Sequence, residues 1–197
     1  MKSVLISVQP YWVFLIIAKL MGWNIPQEKT IEVRKSCPKA ENWNKVAKIY
    51  CSKDKRSFSK IPKEYQPLME RFLGKVIGEF VCDRVYQYAS DLFRSTPVDG
   101  VDISTEEMVK LSCLTAKQLY EYEHSTEPKE NCINLIGVYG WHISQLKIYD
   151  HPKELGAYGA KYKCNLSKKC TDQGFLCAGY CKLTRPPQSW CYVEELT

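Results

Sequence analysis

The stretch Glu28-Lys29-Thr30-Ile31-Glu32-Val33-Arg34-Lys35-Ser36 interleaves lysine, carboxylate and arginine with β-branched apolar residues. Successive side chains of an extended strand alternate between faces, so Thr30, Glu32 and Arg34 share one face while Ile31 and Val33 share the other. Such a strand buries one face and offers acid and guanidinium on the opposite one, which suits a polar planar ligand. The plainer alternative is a solvated strand whose Glu32 and Arg34 pair across an exposed sheet face, an arrangement worth little.

The residues before it extend the pattern. Val4-Leu5-Ile6-Ser7-Val8 reads as a short buried strand, and Gln9-Pro10 opens a run from Tyr11 to Met21 that is apolar at helical spacing. Proline is tolerated at a first helical position because its missing N–H would be unpaired there anyway. Gly22, Asn24 and Pro26 end the helix. The expected order is strand, helix, short loop and charged strand, with the loop bringing Lys29 back toward the helix N-terminus. Free N–H groups and partial positive charge at that end, beside Lys29 and Arg34, favour an anionic or carbonyl-rich guest.

Three blocks in order resemble the ASCH domain, a relative of the PUA-like RNA-binding barrels. They are Ser7-Val8-Gln9-Pro10 with its helix and the 29–35 strand; Gly74-Lys75-Val76-Ile77-Gly78-Glu79-Phe80; and Tyr139-Gly140-Trp141-His142-Ile143 leading into Leu146-Lys147-Ile148-Tyr149. The resemblance covers roughly residues 1–155, with Gln27 standing where the family carries a glycine. It implies a cleft between first helix and barrel for RNA, a nucleotide or a modified nucleobase, lined by Ser7, Gln9, Lys29, Thr30, Glu32, Arg34 and Trp141. Some small relatives resemble amidohydrolases of N4-acylated cytidine that use a lysine, a threonine and a glutamate. Lys29, Glu32 and Glu79 would be the catalytic set here, but Glu32 occupies the position of that threonine. A hydroxyl nucleophile is thereby lost, and a carboxylate beside Lys29 favours its ammonium form. A binding module is therefore the first expectation, with an amidohydrolase or a metal-independent ribonuclease as the alternative. The barrel itself implies no cofactor.

Charge is distributed unevenly. Residues 1–75 hold fifteen Lys and Arg against six Asp and Glu, residues 76–150 six against twelve, and the remainder seven against four, for a net charge of +6. A basic first third beside an acidic middle is consistent with a nucleic-acid or nucleotide partner on one face. The apolar run 11–18 is broken by Lys19 and lacks a following small-residue cleavage site, so it reads as neither a signal peptide nor a membrane span. A cytoplasmic protein without membrane contact is expected. Ten cysteines would suit a secreted disulfide framework. Cys51 and Cys82, however, end strand-like runs where a reduced cysteine packs as a small hydrophobe.

Further along, Lys48-Ile49-Tyr50-Cys51 reads as a strand, 52–63 as an exposed lysine-rich loop, and 76–85 as a strand in which Gly78 marks a bulge or close approach. Ser104 with Glu107 and Thr115 with Gln118 have capping-box spacing. Together these features predict the α+β class: a small, mostly antiparallel PUA-like β-barrel with flanking helices. Residues 1–155 would form that domain and 156–197 a Cys-rich extension returning to it as an edge strand. In the extension Cys164, Cys170, Cys177 and Cys181 follow C-x5-C-x6-C-x3-C. Four thiolates suit a structural zinc ion, with Cys191 as a substitute ligand and disulfides or free thiols as the alternatives. Trp190 reads as a base-stacking platform or as the anchor of the tail.

Overall fold

A computed structural model describes residues 2–89, 101–125, 137–161 and 180–196. Strand β1 (Lys2–Val8) passes into helix α1 (Pro10–Ile17), which begins at the proline as expected. Next come β2 (Ile31–Arg34), β3 (Trp43–Cys51) and two short helices, α2 (Lys55–Phe58) and α3 (Gln66–Glu70). Strands β4 (Lys75–Val81), β5 (Val85–Tyr88) and β6 (Val101–Asp102) precede α4 (Thr105–Ser112) and α5 (Ala116–His124). The chain closes with β7 (Val138–His142), β8 (Ser144–Glu154), β9 (Tyr158–Lys161), β10 (Tyr180–Lys182) and β11 (Trp190–Glu195).

The α+β class holds, and most pairings are antiparallel. The described strands nevertheless form two sheets not closed into a barrel, in the orders β10-β9-β11-β1-β3-β4-β8 and β2-β7-β5-β6. The reason lies in β2, which pairs with β7 in a sheet of its own. β1 runs parallel to β3, so their link must be a long crossover, and it contains α1 and β2. The far end of the chain also departs from expectation. β11 lies between β1 and β9 rather than at an edge, with Leu5 opposite Cys191 and Glu194 opposite Gly159.

The chain divides into two compact units, one of Met1–Tyr11, Ala40–Glu79 and Lys147–Thr197, the other of Trp12–Lys39 and Phe80–Leu146. The first is built on Leu5, Tyr50, Val76, Tyr158, Ala160, Leu183 and Val193. The second is built on Ile31, Val33, Tyr88, Ile103, Met108, Leu119 and Val138, from strands and from α4 and α5.

Local signals fare well. Ser104 accepts a hydrogen bond from the Glu107 N–H, and Thr115 and Gln118 complete a reciprocal box. Gly78 does admit a close approach, since a Cβ there would collide with the Lys147 carbonyl oxygen. The lysine-rich segment after Cys51 is not simply an exposed loop. Asp54 caps α2, accepting from the N–H groups of Arg56 and Ser57, and buried Ser57 accepts from the Tyr11 N–H at 3.0 Å. No described helix is long and apolar enough to cross a membrane.

Candidate functional site

Register places the charged strand. Across β2, β7 and β5, Glu32 lies opposite Trp141 and Trp141 opposite Val85; one step along, Arg34, Tyr139 and Gln87 align in the same way. Residues opposed in register share a sheet face. One face therefore carries Glu32, Arg34, Tyr139, Trp141 and Gln87. The other carries Ile31, Val33, Val138 and Tyr88, which pack with Met108 and Leu119 of the helices. Gly140 permits that packing, since a Cβ there would sit 2.8 Å from Ile31 Cγ2 and 3.0 Å from Met108 Cε.

The charges on this strand are buried, so the plain picture of an exposed ion pair fails. Lys29, Glu32 and Arg34 keep 3%, 6% and 7% of their surface exposed. Glu32 gathers the two cations: Arg34 Nη2 lies 2.8 Å from its Oε1 and Lys29 Nζ 3.4 Å from its Oε2.

Lys29 is committed to the fold. Its ammonium donates to the carbonyl oxygens of Ile31 at 2.7 Å and Ser112 at 2.9 Å, and it is ion-paired with Glu32. Ser112 is the last residue of α4, and Cys113 behind it holds a left-handed conformation at φ 58°. A lysine there satisfies a terminal carbonyl and complements the negative helix end. Burial pulls the Lys29 ammonium below its usual range, opposed by Glu32 and Cys113. The ammonium also lies 5.3 Å from the centroid of the Trp12 ring, early in α1.

The other expected site residues are placed as follows. Thr30 is half-buried, its N–H donating to Leu111 and its carbonyl accepting from Ile143. Trp141 is fully buried beside Glu32, whereas Tyr139 beside Arg34 keeps part of its ring exposed. Ser7, half-buried on β1, Gln9, exposed before α1, and Glu79 belong to the first compact unit, while Lys29, Thr30, Glu32, Arg34 and Trp141 belong to the second. Glu79 has its own partners. It is ion-paired with Lys48 and accepts from Tyr149 Oη at 2.9 Å. Burial would raise its carboxyl, but these hydrogen bonds and the Lys48 charge bring it below the usual range.

Of the four expected zinc ligands, Cys164, Cys170 and Cys177 lie outside the described residues. Cys181 is half-buried on β10 opposite Ala160. Among the described residues no group of three or more His, Cys, Asp or Glu could hold a metal ion. Trp190 is half-buried, opposite Ile6 and edge-on to Tyr192 at 5.4 Å.

Solved structures similar to this chain include those of an ASCH protein. A tyrosine-to-phenylalanine mutant from Zymomonas mobilis has 14% identity and a TM-score of 0.49, covering 98% of this chain and 91% of that one. A serine-to-alanine mutant of the same protein has 14% identity and a TM-score of 0.49, over 98% and 89%. The ASCH protein itself has 15% identity and a TM-score of 0.42, over 98% and 88%. No family model and no curated protein sequence matches the chain.

Sequence reading missed Gln87 and Trp12. Gln87 sits in a Val-Tyr-Gln-Tyr strand whose alternation gives no sign of which partner strand it meets, and Trp12 looks like one more apolar residue of its helix. The Asp83–His142 contact, 2.6 Å from Oδ1 to Nδ1, was also invisible, since fifty-nine residues separate the pair.

Proposed function

We propose that this protein is a binding module that holds a nucleobase, within a nucleoside, nucleotide or RNA segment, on the Glu32–Arg34 face of β2. The observation that carries this reading is the buried Lys29–Glu32–Arg34 cluster sharing its face with the partly exposed Tyr139 ring. A guanidinium donates to base carbonyl or phosphate oxygens, a carboxylate accepts from an exocyclic amine, and a tyrosine ring stacks on a base. The three sequence blocks shared with ASCH domains point the same way.

Hydrolysis of N4-acylated cytidine is the weaker reading, because the Lys29 ammonium is held by the Ile31 and Ser112 carbonyls and paired with Glu32. A lysine acting as base needs a lone pair aimed at substrate. A ribonuclease reading draws on Lys48 and Tyr149, whose Nζ and Oη lie 3.3 Å apart. Burial and donation to Glu79 push that phenol up, which opposes a role as base near neutral pH.

The test is to titrate the protein with cytidine and N4-acetylcytidine and chromatograph the mixtures after incubation. Saturable binding with the acyl group intact is expected. Released cytidine and acetate would make the protein a hydrolase, and no binding by either nucleoside would overturn the nucleobase reading.

A further inference from the structure

The excursion from Cys51 to Gly74 joins β3 to β4 and carries cations outside both charged clusters described above. Lys53, Lys55, Arg56, Lys60 and Lys63 are all exposed, and none has an ion-pair partner among the described residues. Between residues 53 and 63 the one carboxylate is Asp54, and it is engaged in capping α2. The backbone beneath the cations is anchored. The Gly74 N–H donates to the Cys51 carbonyl at 2.8 Å, Ser57 is tied to the Tyr11 N–H, and Ile61 and Met69 are buried.

The helical pair α4–α5 has the opposite character. Residues 105–124 hold four glutamates against two lysines. Glu106, Glu107 and Glu121 are exposed, and Glu121 pairs with Lys117 at 3.8 Å, an exposed contact that exchanges at little cost. Next to Glu121, Tyr120 keeps 55% of its surface exposed, and its ring is stacked on His124 with centroids 4.0 Å apart. Tyrosine and arginine are enriched among the residues that anchor protein interfaces, and a cation over a tyrosine face is attracted to it.

We infer that the partner of both surfaces is a second copy of this chain, with the 53–63 cations of one molecule docked against the Tyr120–Glu121 side of α4–α5 on another. Each surface lies within one compact unit, and the contact is between molecules. Charge complementarity carries the assignment, because the chain itself supplies an exposed cationic segment and an acidic, aromatic surface to receive it. The net charge of +6 opposes association at long range. In salt, however, that field fades within about 10 Å, so the patches that touch decide the outcome. The two surfaces differ, so the contact is head-to-tail and a docked pair keeps one open surface of each kind. Exposed charges make it a weak, salt-sensitive contact.

The experiment is sedimentation velocity over a concentration series, before and after nuclease treatment, in about 0.05 M and about 0.5 M salt. The weight-average mass of the unmodified chain should rise with concentration in the low salt and stay at that of a monomer in the high. This response tests the contact without any substitution. Lys55→Gln/Arg56→Gln/Lys60→Gln and Glu106→Gln/Glu107→Gln/Glu121→Gln should each run as a monomer, with thermal unfolding like that of the unmodified chain. Mixed in equal amounts, the two variants should give a dimer and nothing larger, because each keeps the surface that the other lacks. A monomer at every concentration in low salt, association that survives in either variant alone, or a mixture that stays monomeric would overturn the inference. So would association that disappears on nuclease treatment, which would assign the cationic segment to nucleic acid.

Discussion

Glu32 faces two buried cations, so the two ends of the Arg34 pair should respond differently to mutation. Glu32→Gln removes the carboxylate paired with both Lys29 and Arg34 and should cost about 3–5 kcal/mol in urea unfolding. Arg34→Ala leaves Glu32 beside Lys29 and should cost less. The reverse ranking would mean that Glu32 does not organise the cluster. Glu79 offers a pH test. Its carboxyl lies below the ordinary glutamate value of 4.5, so its stabilising contribution is complete above that value and lost as pH falls through the lowered one. The stability gap between the unmodified chain and Glu79→Gln should therefore close on acidification, as unfolding curves between pH 6 and pH 3 would show. A gap independent of pH would contradict the pairing with Lys48 and Tyr149. At this scale, alternation in the 30–34 strand was enough to sort Glu32 and Arg34 from Ile31 and Val33. It carried no information on depth, because the Lys29 partner Ser112 lies eighty-three residues away.

Elements with strong local chemistry were legible. Pro10 opens α1, and the boxes at 104/107 and 115/118 start α4 and α5, since each signal depends on neighbours within one turn. α2 was not, because four residues carry too little periodicity to mark a helix and the lysines around it read as loop. Its cap can be tested directly. Asp54→Ala removes an acceptor from the Arg56 and Ser57 N–H groups and should cost about 1 kcal/mol. The loss should appear as faster amide hydrogen exchange within 55–61, with β1 and β3 protected as before. Uniform loss of protection across those strands would mean that the excursion and its sheet unfold as one.

At the scale of the whole molecule, class was readable and closure was not. Strand content and helix caps gave α+β, but pairing partners are set by contacts far apart in sequence. β2 meets β7 across more than a hundred residues, and β11 returns from residue 190 to lie between β1 and β9. No local pattern distinguishes those partners from a continuous barrel. The same pairing with β7 and β5 is what assembles Glu32, Arg34, Tyr139 and Gln87 on one face, so the proposed function depends on the four-stranded sheet. Its most direct test is calorimetric titration of cytidine into the unmodified chain and into Arg34→Ala, with thermal unfolding followed alongside to establish that both are folded. We expect saturable binding that weakens by about 1–3 kcal/mol on losing the arginine; equal affinity in two folded proteins would contradict the account.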